Sequence, residues 1–221
     1  GVWRRLAGGS RAAAGPRPRP GAPPPGSRLL VVGHSCGGQL LGLAPTSERV
    51  DAAIFVTAGI PYWRHWPRPH RWAVWALWRL LLPALCAGGR DTVPARRLGL
   101  SGVDVPCGVA LEWARWGRSE RYLFDPEHGL DVSRYSSLEL PIRSYAFADD
   151  LYSPPSTVAA LLDEYGGAEV ELRRVAPEDA GMERIGHFGF FRERSRGFLW
   201  REAAGWLAAG GPIPGPRRAP S

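Results

Sequence analysis

With 221 residues the chain has room for one large domain or two small ones, and 44% hydrophobic residues with ten Trp exclude wholesale disorder despite 28 Gly and 22 Pro. The formal charge of +7 raises nucleic acid as a partner. Yet residues 28–210 are neutral, with 21 Arg against 21 acids, so a nucleic-acid-binding surface is excluded there. The surplus charge lies in residues 1–27 (five Arg, six Pro, no acid) and residues 211–221 (two Arg, four Pro, no acid), which read as low-complexity, disordered tails.

Taken in chain order, Arg28–Val32 (RLLVV) is a short apolar run that predicts a buried parallel strand. Cys36–Leu43 is apolar enough for a helix packed on a sheet, and Val50–Thr57 (VDAAIFVT) predicts a second strand. Strand, helix and strand within about thirty residues make a βαβ unit and hence a parallel sheet.

From Ile60 to Leu138 the character changes, with seven of the ten Trp. Trp72–Leu82 predicts an apolar helix interrupted by Pro83; the run is shorter than the ~20 apolar residues of a membrane span and carries Arg79, so membrane contact is disfavoured. No strand alternation is visible, and residues 60–138 read as an inserted helical cap. Pro141–Phe147 resumes strand character, Pro154–Tyr165 predicts a helix with Pro at its start and Gly166-Gly167 past its end, and Ala168–Val175 alternates like a half-buried strand. A loop then runs through His187, and Phe198–Ala209 predicts a closing helix. The fold class is α/β, with core segments 28–59 and 139–210 on either side of the insertion.

Every basic residue among the 28 is Arg, which excludes a catalytic, Schiff-base or P-loop Lys. Cys36, Cys86 and Cys107 make no zinc pattern and cannot all pair, which predicts a reduced, cytoplasmic setting. The N-terminus has no apolar run of signal-peptide length. No Gly-rich dinucleotide motif follows a strand, and Asp125 with His128 is too sparse for a metal site, so no cofactor and no metal are expected.

The chemistry concentrates in Gly33-His34-Ser35-Cys36-Gly37, a G-x-S-x-G pentapeptide between a strand and a helix, the context of a nucleophile elbow. Such a turn strains the nucleophile's backbone, with Gly33 and Gly37 expected to make room, and lifts the Ser35 hydroxyl above the sheet. A serine hydroxyl needs a base to take its proton. The order Ser, acid, His is present: Asp149-Asp150 follow the strand Pro141–Phe147, and His187 stands in Arg184-Ile-Gly-His-Phe-Gly-Phe before the last helix. His34 reads as packing, and His65, His70 and His128 as cap or surface residues. Cys36 as a thiol nucleophile would need a charge to lower its pKa, and Glu178-Asp179 is an alternative acid pair.

The segments LLVVGHSCGG, YAFADDLYSPP and RIGHFGFF resemble the α/β-hydrolase family, in particular serine aminopeptidase-like and monoacylglycerol-lipase-like hydrolases, over about Arg28 to Ala209. The resemblance implies Ser35 as nucleophile, His187 as general base and acid, Asp150 rather than Asp149 as the residue orienting His187, and the Cys36 backbone N–H as an oxyanion donor. It implies hydrolysis of an ester, thioester or small amide, and the Trp-rich insertion suggests a small-molecule acyl substrate with an apolar part. It also implies a block of strands and a glycine-containing oxyanion loop ahead of the elbow, whereas residues 1–27 hold no strand. The expectation is a partial sheet corresponding to the C-terminal two-thirds of a hydrolase, its reading frame starting late or shifting upstream of Arg28. A catalytically impaired remnant is the alternative function.

Overall fold

The computed structural model describes residues 26–99 and 103–211, so the tails assigned to residues 1–27 and 211–221 lie almost wholly outside the described residues. In chain order the strands are β1 (Leu30–His34), β2 (Ala52–Val56), β3 (Thr92–Val93), β4 (Val105–Pro106), β5 (Pro141–Phe147) and β6 (Glu169–Val175). The helices are α1 (Cys36–Gln39), α2 (His70–Ala76), α3 (Leu82–Ala87), α4 (Cys107–Arg118), α5 (Ser133–Ser137), α6 (Pro155–Leu162) and α7 (Arg201–Ala209), joined by short 3-10 and π turns. Two compact units emerge: Tyr62–His128, and Arg28–Pro61 together with the chain from Gly129 onward.

The second unit is built on four parallel strands in the order β1-β2-β5-β6. β2 is buried along its whole length, and its alternate residues face opposite layers. Ala52, Ile54 and Val56 join Tyr145, Phe147, Leu199, Ala203 and Trp206 in one core, which places α7 on that face. On the other face Phe55 meets Tyr165 at 5.3 Å between ring centroids, and Tyr165 in turn meets Tyr135 of α5. The Tyr165 hydroxyl donates to the Gly38 carbonyl at 3.0 Å, tying the end of the α6 segment to the helix after the elbow. Helices therefore cover both faces, as a parallel sheet requires.

β1 and β6 are the outer strands. β6 carries a row of charges: Arg143 of β5 pairs in register with Glu171 and donates to both of its carboxylate oxygens, at 2.8 and 3.0 Å. Glu202 of α7 adds a second acceptor beside Arg143 and Arg173. On β1, Leu30 and Val32 are exposed, and among the described residues it pairs with β2 alone.

Several boundaries differ from the sequence expectation. β1 starts two residues after Arg28 and runs to His34, because its ladder to β2 extends to the His34–Val56 pair. The helix expected over Cys36–Leu43 breaks into α1 and a 3-10 turn at Leu41–Leu43, and Phe198–Ala209 divides into a π turn and α7.

In the Tyr62–His128 unit the helix expected to stop before Pro83 continues to Ala87. A π turn at Leu77–Leu81 separates α2 from α3 and places Pro83 in the first turn of α3, where a missing N–H costs nothing. A second departure is the antiparallel pair β3–β4, two residues per strand and too short to show alternation. The unit's Trp residues mainly pack. Trp78 is buried between Trp113, at 4.8 Å between ring centroids, and Gly117, where a Cβ would stand 2.8 Å from the indole. Trp116 is buried against Tyr122, whereas Trp72 is half exposed. No helix among the described residues is long and apolar enough to cross a membrane.

Candidate active site

Ser35 follows β1 directly and precedes α1. Its N–H donates to the Val56 carbonyl at 2.9 Å, which carries the β1–β2 ladder one residue past the strand. Its backbone then turns to φ +49°, ψ −116°, a region an L-residue occupies only under constraint. The constraint is the crossing of β1 over the start of α1. A Cβ on Gly33 would lie 2.7 Å from the Gly38 nitrogen, so only glycine fits at 33.

Gly37 does not meet the steric expectation placed on it: it is exposed, and a Cβ there would find nothing within 4 Å. The close approach falls instead on Gly38, whose Cβ would stand 2.6 Å from that of Ala58 and 3.1 Å from the Phe55 ring. The pentapeptide stops one residue short of it. The run of three small residues Cys36-Gly37-Gly38 was the available signal.

Asp150 and His187 come from the loops that follow β5 and β6. His187 Nδ1 and Asp150 Oδ2 are 2.8 Å apart, with both side chains nearly buried, at 8% and 0% exposure. The other oxygen of Asp150 accepts the N–H groups of Tyr152 at 2.8 Å and Ser153 at 3.0 Å, a turn that leads into α6. The carboxylate thus has backbone donors on one side and the imidazole on the other, which fixes Nδ1 as the protonated nitrogen and leaves Nε2 a base.

Asp149 takes a different partner. Its two oxygens accept the N–H groups of Ile185 and Gly186, at 2.9 and 3.0 Å, and not the His187 ring. Glu178 and Asp179 lie in a separate turn, where Asp179 accepts the Ala176 N–H.

His34 is more than packing. Its Nε2 lies 2.9 Å from the His187 carbonyl, and since a carbonyl only accepts, His34 carries its proton on Nε2. Burial pushes its pKa below the ordinary 6.5, opposed by that backbone hydrogen bond. Phe188 and Phe191 stand edge-on to its ring, and Tyr152 lies 5.3 Å from the His187 ring. Burial pushes the Cys36 thiol up, although a hydrogen bond with the Ser35 side chain opposes this. Cys36 is therefore a thiol rather than a thiolate near neutral pH.

The remaining histidines, His65, His70 and His128, belong to the Tyr62–His128 unit. Asp125, expected to be too sparse with His128 for a metal, is occupied in a local turn with Ser119 and the Glu127 N–H. Among the described residues no group of three or more His, Cys, Asp or Glu side chains is placed to hold a metal ion.

No protein-family model matches the chain, and no curated protein matches it. Similar solved structures include a monoacylglycerol lipase from Paleococcus ferrophilus, at 12% identity and a TM-score of 0.49, covering 84% of this chain and 70% of that one. They include an acylaminoacyl peptidase from Pyrococcus horikoshii, at 14% identity and a TM-score of 0.47, covering 87% of this chain and 25% of that one. A third is the mouse alpha/beta hydrolase domain-containing protein 10, at 13% identity and a TM-score of 0.45, covering 85% of this chain and 65% of that one. Independently of these scores, the order of the four parallel strands and the elbow after β1 give the chain a partial α/β-hydrolase fold.

Proposed function

We propose that the chain carries the machinery of a serine hydrolase acting on an ester, thioester or small amide. The observation that carries this reading is the His187–Asp150 hydrogen bond at 2.8 Å, in the unit that also holds Ser35 in a strained strand-to-helix turn. In the reaction Ser35 Oγ attacks the acyl carbonyl while His187 Nε2 takes the hydroxyl proton. The oxygen of the tetrahedral intermediate gathers negative charge, for which the Cys36 N–H is the donor nearest in sequence. Collapse breaks the bond to the leaving group, which departs with the proton from His187. Water, deprotonated by His187, then cleaves the acyl-enzyme to the free acid and restores Ser35. Asp150 keeps the imidazole in the required tautomer and stabilises its charged form.

The substrate class we assign is a small acyl compound with an apolar part. The cytoplasmic setting is part of the same proposal. The test is labelling of the folded chain with a fluorophosphonate probe. Labelling that disappears in Ser35→Ala supports the hydrolase; labelling that survives the substitution overturns it.

A catalytically impaired chain is the second reading. It draws on the exposure of Leu30 and Val32 on β1, which among the described residues has a strand on one side only. The loss of one oxyanion donor costs ~10²–10³ in turnover. A folded chain that takes no label favours this reading.

A further inference from the structure

His187 is held by more than Asp150. Asp149 and Asp150 are consecutive, yet they serve different ends of the same segment: Asp150 faces the imidazole, and Asp149 accepts the two successive N–H groups of Ile185 and Gly186. Both of those residues are buried, and Gly186 is left-handed at φ +61°, which lets adjacent amides turn toward one carboxylate. On the other side of the segment the His34 Nε2–H donates to the His187 carbonyl at 2.9 Å, with the two rings 4.9 Å apart. The backbone is therefore gripped immediately before and at His187, by two side chains from the loops after β5 and the end of β1.

We propose that Asp149 and His34 are positioning residues that fix the Ile185–His187 backbone and so aim the imidazole. This rests on the reading of His187 as the general base, and it adds two residues that act through His187 rather than on the reacting atoms. Asp149 supplies charge-assisted hydrogen bonds to two amides that would otherwise be buried without an acceptor. His34 removes the remaining freedom at the carbonyl. A catalytic base displaced by about 1 Å loses ~10²-fold in rate, so a loosened mount is expected to show in rate before it shows in fold.

The test uses Asp149→Ala, Asp149→Asn, His34→Leu and His34→Gln in the full chain, each checked for fold by circular dichroism. Two readouts are taken: the fluorophosphonate labelling rate, and the downfield NMR resonance of the proton between His187 Nδ1 and Asp150. The expected result is a ~10- to 100-fold slower labelling in Asp149→Ala and His34→Leu, with the resonance shifted or broadened. His34→Gln, whose amide can still donate to the His187 carbonyl, is expected to recover most of both, and Asp149→Asn to fall between. Glu183→Gln, exposed in the same loop, is the control that changes neither.

Labelling within about twofold of wild type together with an unmoved resonance in Asp149→Ala and His34→Leu overturns the proposal. If one of these fails to fold, Asp149→Asn and the other His34 or Asp149 variant decide on the same criteria. If the wild-type chain takes no Ser35-dependent label, the hydrolase reading fails instead, and the resonance alone still decides the positioning role.

Discussion

A Cβ added to Gly38 would stand 2.6 Å from the Cβ of Ala58, closer than two such atoms approach in folded proteins. The first residue lies in α1 after the elbow and the second just past β2, so this gap sets how tightly the nucleophile helix sits on its sheet. Gly38→Ala is expected to destabilise the fold by about 1–3 kcal/mol through overpacking. Gly37→Ala, facing open space on a helix, is expected to be neutral or to stabilise by up to about 1 kcal/mol. Urea unfolding of the two variants separates them, and equal midpoints would refute the assignment of the close approach to Gly38.

Cys36 follows the nucleophile, and burial raises its pKa, so it does not stand in for Ser35. Cys86 behaves alike, pushed up to about 11 by burial and by Cys107 beside it. The folded chain is expected to react slowly with iodoacetamide at neutral pH at both positions and quickly once denatured. Ser35→Ala is expected to gain no residual labelling from Cys36. Mass spectrometry of the alkylated peptides checks the first point, and rapid modification of native Cys36 would contradict the protonated state.

His34 gives a pH dependence of stability with a definite sign. Its folded pKa lies below 6.5, chiefly through burial. The unfolded chain therefore binds the proton more readily, and stability is present above the unfolded pKa and lost as pH falls through the folded one. The nearby groups are His187, which lowers it further, and Asp150, which opposes. The drop in Tm between about pH 7.5 and about pH 5.5 is expected to shrink in His34→Gln, which has no proton to gain. His65 and His128 are also lowered by burial and supply a background slope that the variant leaves in place.

How much of this was legible depends on where the determining contact lies. The strand Pro141–Phe147 is readable to the residue because proline opens it and Asp149-Asp150 follow its end. The Ser35 turn is readable from its neighbours, since strand, glycine and helix are local. The helix running on past Pro83 was hidden, because the π turn that accommodates the ring has no residue marker of its own. Gly38 was hidden because its constraint comes from Phe55 on the next strand and Ala58 just past its end, and β3–β4 because two residues show no period. The resemblance to the hydrolase family singles out Asp150 over Asp149, but the partners that Asp149 takes instead, amides 36 and 37 residues away, have no marker in the sequence.

Asp150→Asn separates the chemistry of the pair from its architecture. The asparagine oxygen can still accept the Tyr152 and Ser153 N–H groups, so the turn into α6 keeps both of its hydrogen bonds. What changes is the side facing His187. An amide NH₂ presented to Nδ1 requires that nitrogen to be an acceptor, which moves the imidazole proton to Nε2 and removes the base from the side that must serve Ser35. The expected outcome is a labelling rate lower by ~10⁴ with a nearly unchanged unfolding midpoint. The expected spectroscopic sign is loss of the downfield proton between the two residues. A variant that labels like wild type would show that the Asp150–His187 bond serves the fold and not the reaction.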